Sequence, residues 1–326
     1  MSDYWDVDSQ EKGTAEKEKI FLPFLVSLLL RLNFWLKRSR SIFHIELRFP
    51  PSVSFQHSTR CVFAVMEFMS NVHVETMGEG PDLVLLHGWA MHSGIWNGVR
   101  NQLAQYFRLH LVDLPGHGLS PTHWIDTPGT LERMSEIVAE SLPESSIICG
   151  WSLGGQVAME LALHEPERIK KLVLVSTTPS FVQREDWIWG MEADTLKLFM
   201  RNFKRDYVST LNRFLTLQVS GGSNTSVLLT QLRESIFQEG KPDEVGLQTG
   251  MQILLTTDIR ERIKSIDQPV KLLHGENDVI AHPNAARWMH EHLQNSELVM
   301  LPHCGHTPFL SHTNQFIINI IRAAYT

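Results

Sequence analysis

The sequence predicts an α/β fold, with a mostly parallel sheet, helices on both faces and an inserted helical cap. Short apolar runs typical of buried strands alternate with helical segments from residue 83 to the C-terminus. The alternation is interrupted once, over about residues 180–266, where only helical patterns occur. A chain of 326 residues with 43% hydrophobic and 20% charged residues can bury a core of this size.

The predicted elements follow one another with little connecting sequence. Residues 68–76 alternate apolar and polar side chains, and the following Gly78-Glu79-Gly80-Pro81 predicts a hairpin turn. Strands are predicted at 83–86, 109–112, 147–149, 172–175, 270–273 and 298–301. Helices are predicted at 95–106, 131–142, 156–164, 284–293 and 314–323.

The segment without strands has its own periodicity. Apolar residues recur at steps of about four and predict one continuous helical stripe: Leu196, Phe199, Phe203, Tyr207, Leu211, Phe214 and Leu215. Because the segment lies between two strands of the sheet, we expect a helical cap above the site. Residues 220–224 predict a turn or hinge between cap helices.

Charge and cysteine content exclude some classes of protein. The net charge of −7 argues against general nucleic-acid binding. The chain has three scattered cysteines, an odd number that suits a reducing compartment better than a disulfide framework: Cys61, Cys149 and Cys304.

The first 65 residues differ from the rest, and we expect them to form an extension to a domain at 66–326. Residues 20–36 are strongly apolar and are followed by the basic 37–40. As a membrane span the run is short and interrupted by Pro23, Arg31 and Asn33, which disfavours a membrane protein. Three interpretations stay open: a weak membrane-like segment, a loosely ordered extension, or a mis-assigned start, with Met66 or Met69 as the first residue.

Ser152 is the candidate nucleophile. It lies at the centre of a Gly-x-Ser-x-Gly pattern, flanked by Gly150 and Gly154, between the strand at 147–149 and the helix at 156–164. In this strand–turn–helix context the pattern indicates a nucleophile elbow. The turn is so tight that residues packed beside the serine must lack a Cβ.

His306 is the candidate base. It lies in Pro302-His303-Cys304-Gly305-His306, where a loop after the last strand returns over the carboxyl edge of the sheet. His303 is the local alternative. A metal site of His303, Cys304 and His306 is a weaker alternative, because the spacing matches no common zinc pattern. We therefore expect no metal at these residues.

Asp278 is the candidate acid that orients the histidine. It follows the strand at 270–273, and Glu276 is the alternative in the same loop. Such an acid fixes the imidazole tautomer and stabilises the imidazolium. The chain order serine, acid, histidine is the order expected when an elbow of this kind is catalytic.

An oxyanion produced by attack of Ser152 needs hydrogen-bond donors. The N–H of Leu153 begins a helix, where N–H groups are unpaired and the helix dipole favours negative charge. The second donor is expected to be the N–H of Trp89, in the loop after the strand at 83–86. We expect His87 to shape that loop, and Asp113 to be structural because it precedes the serine and belongs to a turn.

Four motifs resemble the α/β-hydrolase superfamily: 85–89 (Leu-Leu-His-Gly-Trp), 112–118, 150–155 (Gly-Trp-Ser-Leu-Gly-Gly) and 305–309. Together with 213–218 and 308–312, they resemble the pimeloyl-[acyl-carrier protein] methyl ester esterases of biotin synthesis. The resemblance runs from about residue 69 to the end. It implies an α/β-hydrolase fold and a cytoplasmic, monomeric, cofactor-free serine esterase. The implied reaction releases methanol from the methyl ester of pimeloyl on acyl carrier protein.

The resemblance also implies roles for residues. Ser152, Asp278 and His306 would be catalytic, and Trp89 and Leu153 would line the oxyanion site and the substrate. An acyl channel would be lined by Phe214, Leu215, Thr216, Leu217 and Gln218. Arg213 would meet the phosphate of the carrier's phosphopantetheine.

The chain departs from the family pattern at other cap arginines, which are replaced here by Ser209, Ser226 and Thr230. The cap instead carries basic residues at other positions, namely Arg201, Lys204 and Arg205. Helical steps of four and eight predict that Arg201, Arg205 and Arg213 lie near one face. This face would be a carrier-docking patch or simply a solvated basic surface.

Two further classes of function stay open. Another hydrolase on the same scaffold could cleave short-chain esters, lactones or C–C bonds with the same residues. A noncatalytic relative could keep the cavity and bind a ligand. Haloalkane dehalogenation is disfavoured because it requires a carboxylate where Ser152 stands.

Overall fold

Seven strands form one sheet in the order β1-β3-β2-β4-β5-β6-β7. They are β1 (Val74–Met77), β2 (Asp82–Leu86), β3 (Arg108–Val112), β4 (Ser146–Trp151), β5 (Ile169–Val175), β6 (Val270–Gly275) and β7 (Ser296–Leu301). The computed structural model describes residues 72–122, 129–221, 225–238 and 243–325. The predictions for residues 1–65 therefore fall outside the described residues.

The sheet is parallel except at one edge. Strands β2 to β7 run parallel to their neighbours, and only β1 is antiparallel, paired with β3. All six residues of β4 are buried, and so are all six of β6. Continuous burial is what a parallel strand covered on both faces requires, which explains the unbroken apolar runs of the sequence.

The predicted hairpin at Gly78–Pro81 is wrong. Strand β3 lies between β1 and β2, so the strands on either side of this turn are not neighbours. Instead, the turn contacts the segment that leads into β3. The N–H of Arg108 donates to the carbonyl of Pro81 at 3.1 Å. Gly78 has a φ of 79°, and a Cβ there would overlap the carbonyl oxygens of Ala104 and Phe107. Its glycine thus serves a close backbone approach, not a two-strand hairpin.

Ten α-helices lie in the described residues: α1 (Asn97–Leu103), α2 (Leu131–Ala139), α3 (Leu153–His164), α4 (Ala193–Arg205), α5 (Tyr207–Val219), α6 (Thr225–Gln238), α7 (Glu244–Thr256), α8 (Pro283–His292), α9 (Pro308–Ser311) and α10 (Thr313–Tyr325). Short 3-10 turns occur at Ser93–Trp96, Pro166–Arg168 and Arg262–Ser265. Helices α4 to α7, here called the cap helices, fall between β5 and β6 in the chain.

The prediction of one continuous apolar helical stripe in the cap is wrong in one respect. The stripe is divided between two helices, α4 and α5. Asp206 lies between α4 and α5 with φ −145° and ψ 84°, and its carboxylate accepts a hydrogen bond from the N–H of Ser209 at 3.1 Å. An extended residue that caps the next helix ends the helix before it. Both helices still bury apolar residues of the stripe, including Phe203 and Leu211.

An aromatic cluster beneath the carboxyl edge fixes the position of two loops. The ring of Phe309 lies 5.0 Å from that of Trp151 and 4.7 Å from that of Trp96, with all three side chains buried. Trp151 ends β4, and Phe309 lies in α9.

Within the described ranges, no helix is both long and apolar enough to cross a bilayer.

Candidate active site

Ser152 lies at a strained turn between β4 and α3. Its φ of 55° and ψ of −116° are unusual for a residue with a side chain. The N–H of Ser152 donates to the carbonyl of Val175 on the neighbouring strand at 3.0 Å, which holds the strained conformation in place. Strain of this kind persists where the surroundings impose it, and it is common at functional sites. The turn leaves the serine side chain partly exposed.

The glycines beside Ser152 are required by space. A Cβ at Gly150 would overlap the carbonyl of Gly154, and a Cβ at Gly154 would overlap the carbonyl oxygens of Leu86 and His87. The prediction that residues packed beside the serine must lack a Cβ is confirmed. The same contacts bring the start of α3 against the loop that follows β2.

The residues proposed to stabilise an oxyanion lie on these two segments. Leu153 is the first residue of α3, where the N–H points out of the helix end. Gly88, directly before Trp89, faces the elbow: a Cβ there would come within 3.2 Å of the Cβ of Ser152 and 3.1 Å of the Trp151 ring. The loop after β2 therefore lies beside the nucleophile, as the prediction for Trp89 requires.

Asp278 lies in the loop after β6 and is buried. Its Oδ1 accepts hydrogen bonds from the N–H groups of Ile280 and Ala281, both at 2.9 Å, and its Oδ2 lies 2.8 Å from Nδ1 of His306. Burial alone would raise the pKa of Asp278. The charge and hydrogen bond of His306, the charge of His274 and the backbone donors outweigh it and lower the pKa. Asp278 is therefore ionised at neutral pH.

His306 is held from three sides. The ring atom Nδ1 lies 2.8 Å from Oδ2 of Asp278. The main-chain N–H of His306 donates to the carbonyl of Gln218 at 3.2 Å, and its main-chain carbonyl accepts from the indole N–H of Trp151 at 2.8 Å. Because an ionised carboxylate only accepts, Nδ1 must carry the proton and Nε2 must carry the lone pair. Nε2 is buried and has no hydrogen-bond partner, Ser152 included, among the described residues. The bond from nucleophile to base often forms only when substrate binds.

The alternatives considered from the sequence are placed elsewhere. His303 and Glu276 are exposed, whereas His306 and Asp278 are both buried and in contact. Among the described residues, no three His, Cys, Asp or Glu side chains are grouped so as to hold a metal ion.

His87 and Asp113 serve the loops around the site. Nε2 of His87 accepts from the N–H of Leu114 at 2.8 Å, so Nδ1 carries the proton and donates to the carbonyl of Gly88 at 2.7 Å. Burial, reinforced by the neighbouring His117, lowers the pKa of His87 to about 3, and the ring is neutral. Asp113 accepts from the N–H groups of Ser93 and Leu119. Both residues shape loops, as predicted.

Comparisons with known proteins show the family to which the chain belongs. Residues 81–313 match the α/β-hydrolase fold family. The chain is 56% identical over 258 residues to the pimeloyl-[acyl-carrier protein] methyl ester esterase of Nitrosospira multiformis, covering 78% of this chain and 98% of that protein. It is 55% identical to the Nitrosomonas europaea protein of the same name, covering 76% and 98%. The chain belongs to the pimeloyl-[acyl-carrier protein] methyl ester esterase family of α/β-hydrolases.

A solved structure supports the fold of this family member independently. An esterase from Exiguobacterium antarcticum superposes with a TM-score of 0.70 at 23% identity, covering 78% of this chain and 96% of that one. At this identity the likeness concerns the fold alone. The predicted α/β-hydrolase fold is confirmed.

In this esterase-family chain, the Trp89 side chain joins the loop after β2 to the cap helices. Its ring lies edge-on to Phe199, Phe203 and Phe214, with centroids 5.6, 5.5 and 5.3 Å away. Its indole N–H donates to the carbonyl of Leu247 in α7 at 2.9 Å. Phe199 and Phe203 were not among the predicted site residues, although both lie on the apolar stripe that predicted the cap.

Residues 214–218 do not share one environment, since α5 turns successive side chains in different directions. Phe214 contacts Trp89, Leu215 is fully buried, and Thr216 and Leu217 are exposed. Gln218 is buried; its carbonyl accepts from His306, and its Oε1 has no partner among the described residues. Phe214 and Gln218 thus contact residues of the candidate site, whereas Thr216 and Leu217 are exposed, and the channel lining stays a prediction.

The basic residues of the cap helices are exposed but do not lie on one helix. Arg201, Lys204 and Arg205 belong to α4, and Arg213 belongs to α5. The continuous helical spacing that predicted Arg213 near the face of Arg201 and Arg205 is interrupted at Asp206, so a shared face no longer follows from spacing and stays a prediction. None of the four basic residues forms an ion pair within the described part of the chain.

Proposed function

We propose that this protein is a serine carboxylesterase that hydrolyses the methyl ester of pimeloyl-[acyl-carrier protein], as a step of biotin biosynthesis. Ser152 is the nucleophile, His306 the base and Asp278 the residue that orients it. The single observation that carries the proposal is the state of His306. Its Nδ1 is committed to an ionised carboxylate, and its Nε2 is a buried, unpartnered acceptor in the same site as a strained serine.

The first half of the reaction forms an acyl-enzyme. Ser152 Oγ attacks the ester carbonyl as Nε2 of His306 takes its proton, and Asp278 stabilises the resulting imidazolium. The N–H groups of Leu153 and Trp89 hold the oxyanion, each worth about 2.7–4 kcal/mol of transition-state stabilisation. His306 then returns the proton to the departing methoxide, and methanol leaves.

The second half restores the enzyme. A water molecule gives its proton to His306 and attacks the acyl-serine carbonyl, with the oxyanion held by the same two N–H groups. Collapse of this intermediate breaks the bond to Ser152 Oγ, which takes the proton back from His306. The product is the free carboxylate of the carrier-bound acyl chain.

The aromatic group around Trp89 supports an acyl-binding role. Phe199, Phe203 and Phe214 present an apolar wall next to the loop that supplies the second N–H. Each methylene buried against such a wall contributes about 0.8 kcal/mol. A methyl ester at the end of a long aliphatic chain fits this wall, whereas a free carboxylate would leave a charge in apolar surroundings.

The partner is proposed to be the acyl carrier protein, which the names of the relatives specify for those proteins. The exposed Arg201, Lys204, Arg205 and Arg213 offer positive charge for an acidic carrier and for the phosphate of its prosthetic group. Replacing Arg213 with Ala should raise KM for the carrier-bound ester and leave KM for a small methyl ester unchanged. Lys197, which is already paired with Asp194 at 3.1 Å, is the matched control.

We also propose that the enzyme is a monomer in the cytoplasm. Two of the three cysteines, Cys149 and Cys304, are buried free thiols, which suits a reducing compartment. Light scattering on the purified full-length chain would measure the mass directly. A dimer would overturn the proposal of a monomer without affecting the chemistry.

The deciding experiment measures methanol release from carrier-bound pimeloyl methyl ester. The wild-type chain should convert the ester to the acid, seen by mass spectrometry of the carrier. The Ser152→Ala variant should retain the fold, judged by circular dichroism, and lose turnover and labelling by a fluorophosphonate. Full activity in Ser152→Ala would refute the role of the serine. Hydrolysis of small esters or lactones without action on the carrier-bound ester would indicate another hydrolase.

A further inference from the structure

His274 is a second histidine beside the acid of the candidate triad. It lies in β6, and its side chain is buried. Its Nε2 is 2.8 Å from the carbonyl of Ala281 and 3.4 Å from Oδ2 of Asp278. It has no part in the proton relay described above.

The contacts of His274 join the two ends of the loop that carries Asp278. Oδ1 of Asp278 accepts from the N–H of Ala281, and the carbonyl of Ala281 accepts from His274. The carboxylate is thus held at both oxygens: Oδ1 by two backbone donors, and Oδ2 between His306 and His274. A side chain on the rigid strand thereby connects the acid with the far end of its own loop.

We propose that His274 is a positioning residue for the hydrolysis, whose Nε2–H holds the Ala281 carbonyl and faces the Asp278 carboxylate so that Oδ2 stays directed at His306. The proposal rests on the proposed function, because it requires that Asp278 orient the base. It assigns no proton transfer to His274.

The protonation of His274 follows from its partners. A carbonyl only accepts, so Nε2 must carry a proton. Burial lowers the pKa of His274, against the opposing effect of Asp278, so the ring is neutral in the working enzyme. The other titratable groups that act on this pair are His306 and Cys304 from the loop after β7 and Arg287 from α8. A neutral Nε2–H donor supports the carboxylate without competing as a cation for His306.

Three substitutions of His274 distinguish the effect of losing the Nε2–H donor from the effect of losing the imidazole ring. His274→Leu removes the donor and leaves the Ala281 carbonyl without its partner. His274→Gln places an amide N–H near the position of Nε2 but cannot titrate, whereas His274→Asn is too short to reach it. His110→Leu is the matched control, because His110 is also a strand histidine that binds a carboxylate, Asp82 at 2.7 Å, but it lies in β3 away from the acid loop.

The expected result is a loss that depends on the donor. His274→Leu and His274→Asn should lower kcat about tenfold with little change in KM, since a hydrogen bond that supports a charged group is worth about that factor. The acidic limb of the pH profile of kcat/KM should move to higher pH by about half a unit, because a less stabilised carboxylate attracts the imidazolium more strongly. His274→Gln should restore most of kcat and the wild-type profile. His110→Leu should change neither.

Each outcome decides the matter. A purely structural role would lower the melting temperature of the His274 variants without moving the acidic limb, and that result would overturn the proposal. If His274→Leu fails to fold, the comparison of Gln with Asn decides, and equal activity of the two would also overturn it. Failure of the proposed function itself would be distinguishable, since the wild-type chain would then not hydrolyse the ester.

Discussion

The carboxyl edge of the sheet and the cap helices are built in different ways. At the sheet edge, each candidate catalytic residue lies in the turn or loop that follows a strand: Ser152 after β4, Asp278 after β6 and His306 after β7. The cap helices reach these loops only through contacts between residues far apart in the chain. The carbonyl of Gln218 accepts from His306, and the carbonyl of Gly221 accepts from the side chain of Asn277 at 2.8 Å.

Under the proposed function, this difference predicts that the sheet edge sets the rate and that the cap helices set the selectivity. The strands fix the triad within a rigid sheet, so changes there should act on kcat. The cap helices support the catalytic loops partly through backbone carbonyls, which any residue can supply. In the proposed function the side chains of the cap helices select the acyl chain and the carrier, so changes there should act on KM.

The largest expected effect lies at the sheet edge. Asp278→Asn should lower kcat about ten-thousandfold, because the amide would favour the wrong tautomer of His306, the effect known for triads of this kind. KM should change little. Steady-state kinetics on the carrier-bound ester checks both parameters. A loss confined to KM would contradict the assignment of chemistry to the sheet edge.

The same difference explains what the sequence could predict. Strands, elbow and acid–histidine pair were predictable because buried strands give unbroken apolar runs and each candidate catalytic residue lies close to a strand end. The pairing of β1 with β3, the break at Asp206 and the contacts of Trp89 with Phe199 and Phe203 were not. These features depend on which distant segments meet, and periodicity carries no information on that. Residues 214–218 were treated as one lining, although helical geometry separates them.

The next effect concerns how the free energy of unfolding depends on pH, through a buried histidine in the loops around the site. The unfolded imidazole of His87 binds a proton near pH 6.5, but the folded one does so only near pH 3. Between these values the unfolded state binds more protons, so stability rises with pH and is lost as pH falls through this window. Each such histidine contributes at most about 1.4 kcal/mol per pH unit.

Urea unfolding between pH 7 and pH 4 measures this loss. His117 and His274, whose pKa values are also lowered by burial, should add to the slope. His87→Gln should reduce the slope even if it lowers stability at pH 7. An unchanged slope in His87→Gln would show that the ring titrates normally.

A smaller effect tests the fit between the elbow and the loop after β2. Gly154→Ala should lower the free energy of unfolding by about 1–3 kcal/mol, because the new Cβ would overlap two backbone carbonyls. Gly98→Ala in α1 is the control: nothing lies within 4 Å of its Cβ position, and it should stabilise the protein by about 0.5–1 kcal/mol. Urea midpoints of the two variants should therefore move in opposite directions. Equal destabilisation would contradict the close approach described for the elbow.

The smallest effect tests the connection between the two regions. Trp89→Phe keeps an aromatic ring beside Phe199, Phe203 and Phe214 but removes the hydrogen bond to the Leu247 carbonyl, worth about 1 kcal/mol. If the cap helices act on substrate binding, KM for the carrier-bound ester should rise about fivefold while kcat changes less. Trp189→Phe, whose ring contacts Trp187 away from the site, should leave both parameters unchanged. A fall in kcat at constant KM would mean that the Trp89–Leu247 bond positions the oxyanion donor, and the division between rate and selectivity would then fail at this residue.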